Sequence, residues 1–183
     1  MGRVPMKVAL HHSILEIVQG DITLQETTAI GNAANSALAG GGGVDGAIHR
    51  AGGPVILSEL KTKYKGCPTG SAVITGGGHL KAKFVIHAVG PRYSGSPKDA
   101  DLLASAYRKS LEVCTQNRID SIAFPSISTG IYGYPVEEAS YVALKTVIDY
   151  LKGHPEIKLV RFVLFDSKTF EVYEGSLKEL LQK

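Results

Sequence analysis

The sequence is poor in the features that would decide its class at once. It has two cysteines, Cys67 and Cys114, too few for a disulfide framework or a thiolate metal site and compatible with a reducing compartment. No apolar run approaches the roughly 20 residues of a membrane span. The longest uncharged stretch, Thr27–Val44, is rich in Gly, Asn and Ser. The opening MGRVPMKVAL has no signal-peptide core, Met6 reads as a candidate natural start, and residues 1–5 read as an extension. Neither H-E-x-x-H nor paired C-x-x-C occurs, so no catalytic metal is expected. G-x-x-x-x-G-K-[ST] is missing too, which argues against that class of NTPase. A strong excess of one charge is also lacking: 20 basic and 17 acidic residues leave a net charge of +3. That mild balance suits anionic ligands, but the basic residues are scattered and do not argue for nucleic acid. The clusters KTKYK (Lys61–Lys65) and KAK (Lys81–Lys83) read as solvated faces.

What remains is an ordinary globular chain of 183 residues, 44% hydrophobic and 20% charged, long enough for a good core. One domain over residues 1–183 and a cytoplasmic location are expected. Short β-branched runs alternate with stretches of helical period. Ile14–Asp21, Thr28–Ala34, Ser71–Gly78, Phe84–Gly90, Ser121–Ile127 and Lys158–Phe165 read as strands, with Gly76–Gly78 and His79 turning between the third and fourth. Val44–Gly53, Ala100–Asn117 and Pro135–Gly153 read as helices, and Ser167–Gln182 as a last one interrupted near Gly175. Apolar strands alternating with helices predict an α/β sandwich covered on both faces.

Two glycine-rich stretches carry the chemistry. The first, NAANSALAGGGGVDGAIHR, runs from Asn32 to Arg50 and holds four consecutive glycines, Gly40–Gly43. Glycine loses more conformational freedom on folding than any other residue, so such a run needs a reason. A backbone that must approach an anionic ligand supplies one. Gly41, Gly43 and Gly46 satisfy G-x-G-x-x-G, but the apparent strand ends near Ala34 and NSALA intervenes. Glu59, at the distance of a ribose-binding acid, reads as lying inside a helix and has no strand before it. A nicotinamide-dependent oxidoreductase is therefore disfavoured. The second stretch, PSISTGIYGYP (Pro125–Pro135), follows an apolar strand and leads to a helix starting at Pro135. Loops at the carboxyl ends of strands hold ligands in open α/β sheets, and two loops entering helix N-termini could grip a diphosphate. Two unrelated tight turns are the plainer alternative.

The segments NAANSALAGGGGVDGAIHRAGG, VIHAVGP and SISTGIYGYP, in this order, resemble the macro domain, and within it the MacroD-type branch. The resemblance spans about Ile14 to Tyr173. It implies a three-layer α/β/α sandwich around a central mixed sheet, ADP-ribose as ligand, and no cofactor. The implied activity is hydrolysis of mono-ADP-ribose esters on acidic side chains, together with deacetylation of O-acetyl-ADP-ribose. A non-catalytic ADP-ribose reader is the alternative. ADP-ribosylated proteins or small-molecule conjugates are the implied partners, with no membrane, and nucleic acid only as an ADP-ribosylated substrate.

Roles follow from the resemblance and from side-chain chemistry together. Asp21 can accept from the exocyclic amine of adenine while the Ile22 backbone pairs with a ring nitrogen; a turn-forming Asp is the alternative. Phe165 and Asp166 match the place where the family stacks a ring on adenine, although Phe165 reads nearly as well as core. Gly42, Gly43 and Val44, with Ser128, Thr129, Gly130, Ile131 and Tyr132, are the expected diphosphate and distal-ribose contacts. Tyr132 also reads as a half-exposed loop residue. Asn35 and Asp45 are the expected catalytic pair: the amide to hold a ribose hydroxyl by donor and acceptor, the carboxylate to orient a water. A helix N-cap is the alternative for Asp45. Asn32 reads as structural, tying the strand end to the loop. His49 reads equally as an orienter of Asp45 and as a buried imidazole, and His87 reads as core.

Overall fold

The computed structural model describes residues 3–183, so Met1 and Gly2 of the expected extension lie outside it. Seven strands form one mixed sheet in the order β1-β2-β7-β6-β3-β5-β4. These are β1 Met6–Leu10, β2 Ser13–Gln19, β3 Ala29–Ala33, β4 Ala72–Gly76, β5 Phe84–Ala88, β6 Ser121–Phe124 and β7 Leu159–Leu164. The five central strands are parallel; β1 and β4 run antiparallel at the two edges. Helices α1 (Gly43–Gly52) and α2 (Val55–Lys63) cover one face. Helices α3 (Lys98–Gln116), α4 (Val136–Lys152) and α5 (Ser167–Leu181) cover the other. This is the three-layer α/β/α sandwich with a central mixed sheet that the sequence led us to expect.

The two faces carry separate cores. Under α3–α5 lies a large cluster with an aromatic centre, in which the rings of Phe124 and Phe162 both flank Tyr107, the first edge-on at 5.1 Å. Under α1 and α2 lies a smaller one built from Ile30, Ile48, Ile56, Leu60 and Val85. The six expected strands are all present. Two elements escaped the sequence reading: β1, an edge strand where only Met6, Val8 and Leu10 turn inward, and α2, in which only Glu59 had been placed. Helix α5 also corrects an expectation, because it runs through Gly175 without a break. Gly175 is exposed, and burial of Phe170, Tyr173 and Leu177 on the opposite face outweighs the roughly 1 kcal/mol that a mid-helix glycine costs.

Candidate ligand cleft at the carboxyl edge of the sheet

The parallel strands all end at one edge, and the loops leaving β3, β5 and β6 enclose a cleft of about 370 Å³, at the lower end of the ~300–1,000 Å³ typical of small-molecule sites. Its walls are Ala33–Asn35 and Gly41–Asp45 on one side, and Ser126–Ser128 and Gly130–Tyr132 on the other, with Gly90 and Arg92 between them. The two glycine-rich stretches thus face each other.

The first wall is a loop that tightens into a helix. Gly40 and Gly43 have φ of +81° and +57°, a left-handed region that other residues enter at a cost. Gly46 is needed for a different reason: a Cβ there would lie 2.5 Å from the Gly41 carbonyl oxygen. The glycine pattern therefore serves close packing of loop on helix. Helix α1 begins at Gly43 with Gly42 as N-cap and no side-chain cap, so the N–H groups of its first turn face the cleft unclaimed, with the positive end of the helix dipole behind them. The second loop leads into helix α4 with Pro135 as its N-cap, as expected, but that terminus does not line the cleft. Helix α4 begins only at Val136, beyond Tyr132, the last lining residue on that side. That wall offers loop backbone, not a helix terminus.

The second wall is anchored from the aromatic core. Tyr107 OH donates to the Pro125 carbonyl at 3.1 Å and accepts from Ile127 N–H at 2.9 Å. Tyr173 OH donates to Ser126 Oγ at 2.8 Å. Beyond that anchor the loop departs from ordinary geometry: Ser128 is buried at φ +71°, and its Oγ has no partner among the described residues. Strain and an orphaned polar atom together mark a functional loop. Ile131 is fully exposed, and the half-buried Tyr132 ring carries the Arg92 guanidinium 5.0 Å from its centroid.

Asn35 and Asp45 meet at this cleft. Asn35 Oδ1 accepts from Ala39 N–H at 3.1 Å and its Nδ2 donates to the Gly40 carbonyl at 2.9 Å. The amide therefore staples its own loop and keeps one N–H and one lone pair of its oxygen for a ligand. Asp45 is not the N-cap of α1; it lies in the first turn, 6% exposed. Its Oδ1 accepts from Asn32 Nδ2 at 2.8 Å. Its Oδ2 turns to the cleft: a Cβ at Gly41 would lie 3.5 Å from Asp45 Oδ2 and 3.9 Å from Asn35 Nδ2. Asn32 is structural, as expected, but it ties the strand to helix α1, not to the loop. His49 Nε2 lies 3.2 Å from Asp45 Oδ1 without the alignment of a hydrogen bond, and neither ring nitrogen has a hydrogen-bond partner among the described residues. His87 is buried within β5, and burial, with the His49 ring nearby, pushes it down to about 3.

Asp21, Ile22, Thr129, Phe165 and Asp166 do not line the cleft. Four of them sit further along the same edge, where β2 and β7 pair and Gly20 N–H donates to the Leu164 carbonyl. Phe165 is 82% exposed, so the core alternative for it falls. Asp21 caps a short 3-10 turn (Ile22–Leu24) through Thr23, and Asp166 caps α5 through Thr169. The Ile22 side chain is buried in the smaller core, which leaves its backbone for a ligand. The sequence reading missed Gly90 and Arg92; VIHAVGP had been singled out as a motif, but without its loop as a wall.

A glycine-walled cleft, set on a helix N-terminus at the carboxyl edge of a mixed sheet, defines a class of α/β anion-binding modules. Comparison with known proteins names the family. The macro domain family model matches residues 31–143. A macro domain-containing protein of Caldanaerobacter subterraneus subsp. tengcongensis is 58% identical over 170 residues, 91% of this chain and 97% of that protein. An O-acetyl-ADP-ribose deacetylase of Cronobacter sakazakii is 50% identical over 89% of this chain and 93% of its own length. The solved structure of the Oceanobacillus iheyensis macrodomain with ADP superimposes with a TM-score of 0.93, at 44% identity, over 98% of this chain and 97% of that one. The chain belongs to the macro domain family.

Proposed function

We propose that the protein is an ADP-ribose-binding hydrolase that cleaves mono-ADP-ribose esters of acidic side chains and removes the acetyl group from O-acetyl-ADP-ribose. The Oceanobacillus iheyensis relative carries ADP, which is ADP-ribose without its distal ribose, and the Cronobacter sakazakii relative is a deacetylase of an ADP-ribose ester. In this reading Asp21, the Ile22 backbone, Phe165 and Asp166 receive adenine at the β2–β7 end. The diphosphate lies between Gly42–Val44 and Ser128–Ile131, and Tyr132 covers the distal ribose. Backbone N–H groups and the α1 dipole hold the anion, with Arg92 the one basic residue of the cleft wall.

The observation that supports the catalytic part is that Asp45 Oδ2 and Asn35 Nδ2 both lie within 4 Å of the space beside Gly41 in the cleft wall. Asn35 fixes the distal ribose there, and Asp45 orients a water. With a glutamate or aspartate ester, the water oxygen bonds to the anomeric carbon and the carboxylate departs with the electrons of the broken C–O bond. The water proton passes to Asp45 or to a diphosphate oxygen. With O-acetyl-ADP-ribose the same water attacks the acetyl carbonyl, the bond from the acyl carbon to the ribose oxygen breaks, and that oxygen takes up the water's proton, so that acetate and ADP-ribose are released.

Incubation with a glutamate-linked mono-ADP-ribosylated peptide and with O-acetyl-ADP-ribose, followed by chromatography of free ADP-ribose and acetate, tests the proposal. Release from either substrate is the expected result. Tight ADP-ribose binding in calorimetry with no release from either would make the protein a reader. Asn35, whose amide already serves its own loop, is the feature that favours this second reading.

A further inference from the structure

If Asp45 orients water, something must orient Asp45, and its nearest fixed neighbour is the buried amide of Asn32. That amide spends both of its N–H groups: one on Asp45 Oδ1 at 2.8 Å, the other on His87 Nδ1 at 3.1 Å. Strand register places the two side by side, since Asn32 on β3 pairs with His87 on β5. A carboxylate has no proton to give, so the amide must turn its nitrogen toward Asp45. His87 Nδ1 must then accept, which puts the ring proton on Nε2. Nε2–H has its acceptor, Thr75 Oγ1 at 2.9 Å, and the Thr75 hydroxyl donates in turn to the Gly76 carbonyl at 2.9 Å. Each proton in this chain has one consistent position. The far end of the chain is a main-chain carbonyl of β4, which cannot reverse it.

We propose that His87 is a positioning residue: by accepting from Asn32 it locks the amide that holds Asp45 in the rotamer with Oδ2 turned into the cleft. The proposal rests on the reading of Asp45 as the residue that orients water. Two further observations support it. Asn32 Oδ1 is buried with no partner among the described residues, an arrangement that costs stability and that an apolar residue would avoid. Burial keeps His87 uncharged down to about pH 3, so its Nδ1 remains an acceptor at neutral pH. The titratable groups facing this chain are Asp45 itself, His49, whose ring centroid is 6.2 Å from that of His87, and Glu59, which accepts from Gly76 N–H at 3.0 Å and is paired with Lys63.

The test uses three variants of the full chain and a spectrum of the wild type. His87→Leu removes the acceptor, His87→Asn restores one near the same position, and Thr75→Val removes the acceptor of Nε2–H. We expect His87→Leu to lower kcat on the ester substrates by about tenfold or more, as for a misplaced reacting group. Its KM and its ADP-ribose Kd should stay within about threefold, with most of the rate recovered in His87→Asn. A folded His87→Leu protein with wild-type kcat would overturn the proposal. If His87→Leu does not fold, Thr75→Val decides: a lower kcat at unchanged Kd supports the lock, and an unchanged kcat overturns it. Nitrogen-15 spectra of the histidines should show Nδ1 bare and Nε2 protonated from pH 5 to 8, with a through-hydrogen-bond coupling from Asn32 Nδ2. An Nδ1–H tautomer would overturn the lock whatever the kinetics. If the wild type hydrolyses no ester yet shows the Nε2–H tautomer and the coupling, the hydrolase reading fails and the lock stands.

Discussion

On strand β7, Val160, Phe162 and Leu164 enter the core under α3–α5, while Val163 enters the one under α1 and α2. On β5, Ile86 and Ala88 belong to the first core and Val85 to the second. The two faces are thus cut from alternate residues of the same strands, yet they differ in kind. The α3–α5 face is large and aromatic, and its tyrosine hydroxyls reach up to anchor one wall of the cleft. The α1–α2 face is smaller and admits Asn32, Thr75 and His87 at 1% exposure or less. One face supplies stability and a fixed edge; the other gives up some apolar burial to carry a polar chain to Asp45. Adjacent residues on one strand can serve these two ends because pleating keeps them apart.

The contrast can be broken by exchanging the expected effects. The largest belongs to the aromatic face: Phe162→Ala should lose about 3–5 kcal/mol of stability, as for large-to-small changes in a packed core. Activity per folded molecule should be unchanged. Urea unfolding with kcat measured on the folded fraction checks it, and a selective loss of kcat would dissolve the division of labour. On the other face, Asp45→Ala should cut turnover by about a hundredfold or more, with ADP-ribose affinity changed by ~1 kcal/mol at most. Turnover kinetics beside calorimetry separate the two.

Acid should weaken the polar face in particular. His87 is held at about 3 against its ordinary 6.5, so between those values the unfolded chain takes up a proton that the folded chain refuses. The stability this group contributes is complete above pH 6.5 and falls as pH drops toward 3, by up to about 1.4 kcal/mol per pH unit. Urea titrations at pH 7 and pH 5 should show this slope, and His87→Asn should flatten it. The smallest effect lies at the sheet edge. Asp166→Ala removes the N-cap bond to Thr169 N–H and should cost about 1 kcal/mol of stability. An ADP-ribose affinity that also falls would support the place of Asp166 at the adenine end of the site, and an unchanged affinity would remove it.

Much of this was legible beforehand because the signals are local. β-branched runs and paired helix-ending glycines located six strands and four helices. The spacing of Asn35, the glycines and Asp45 marked one wall of the cleft, and the polar loop from Ser126 to Tyr132 marked the other. Helix α2 was passed over because LSELKTK has a weak apolar stripe. β1 was passed over because Met6, Val8 and Leu10 alternate over too short a run beside a region read as an extension. A break near Gly175 was expected from propensity, which tertiary burial overrode.

The sequence by itself determined the α/β class, the family resemblance and the residue types of the cleft, since periodicity and loop composition are written along the chain. Only the tertiary structure decided that Asn32, His87 and Thr75 form one oriented chain behind Asp45. Those residues are far apart in sequence, and strand register alone brings them together. It also decided that Asn35 has one N–H and one lone pair left to offer, and that Phe165 stands in solvent while Phe162 is sealed in the core. Burial and hydrogen-bond accounting depend on what each side chain meets, and no linear pattern contains that.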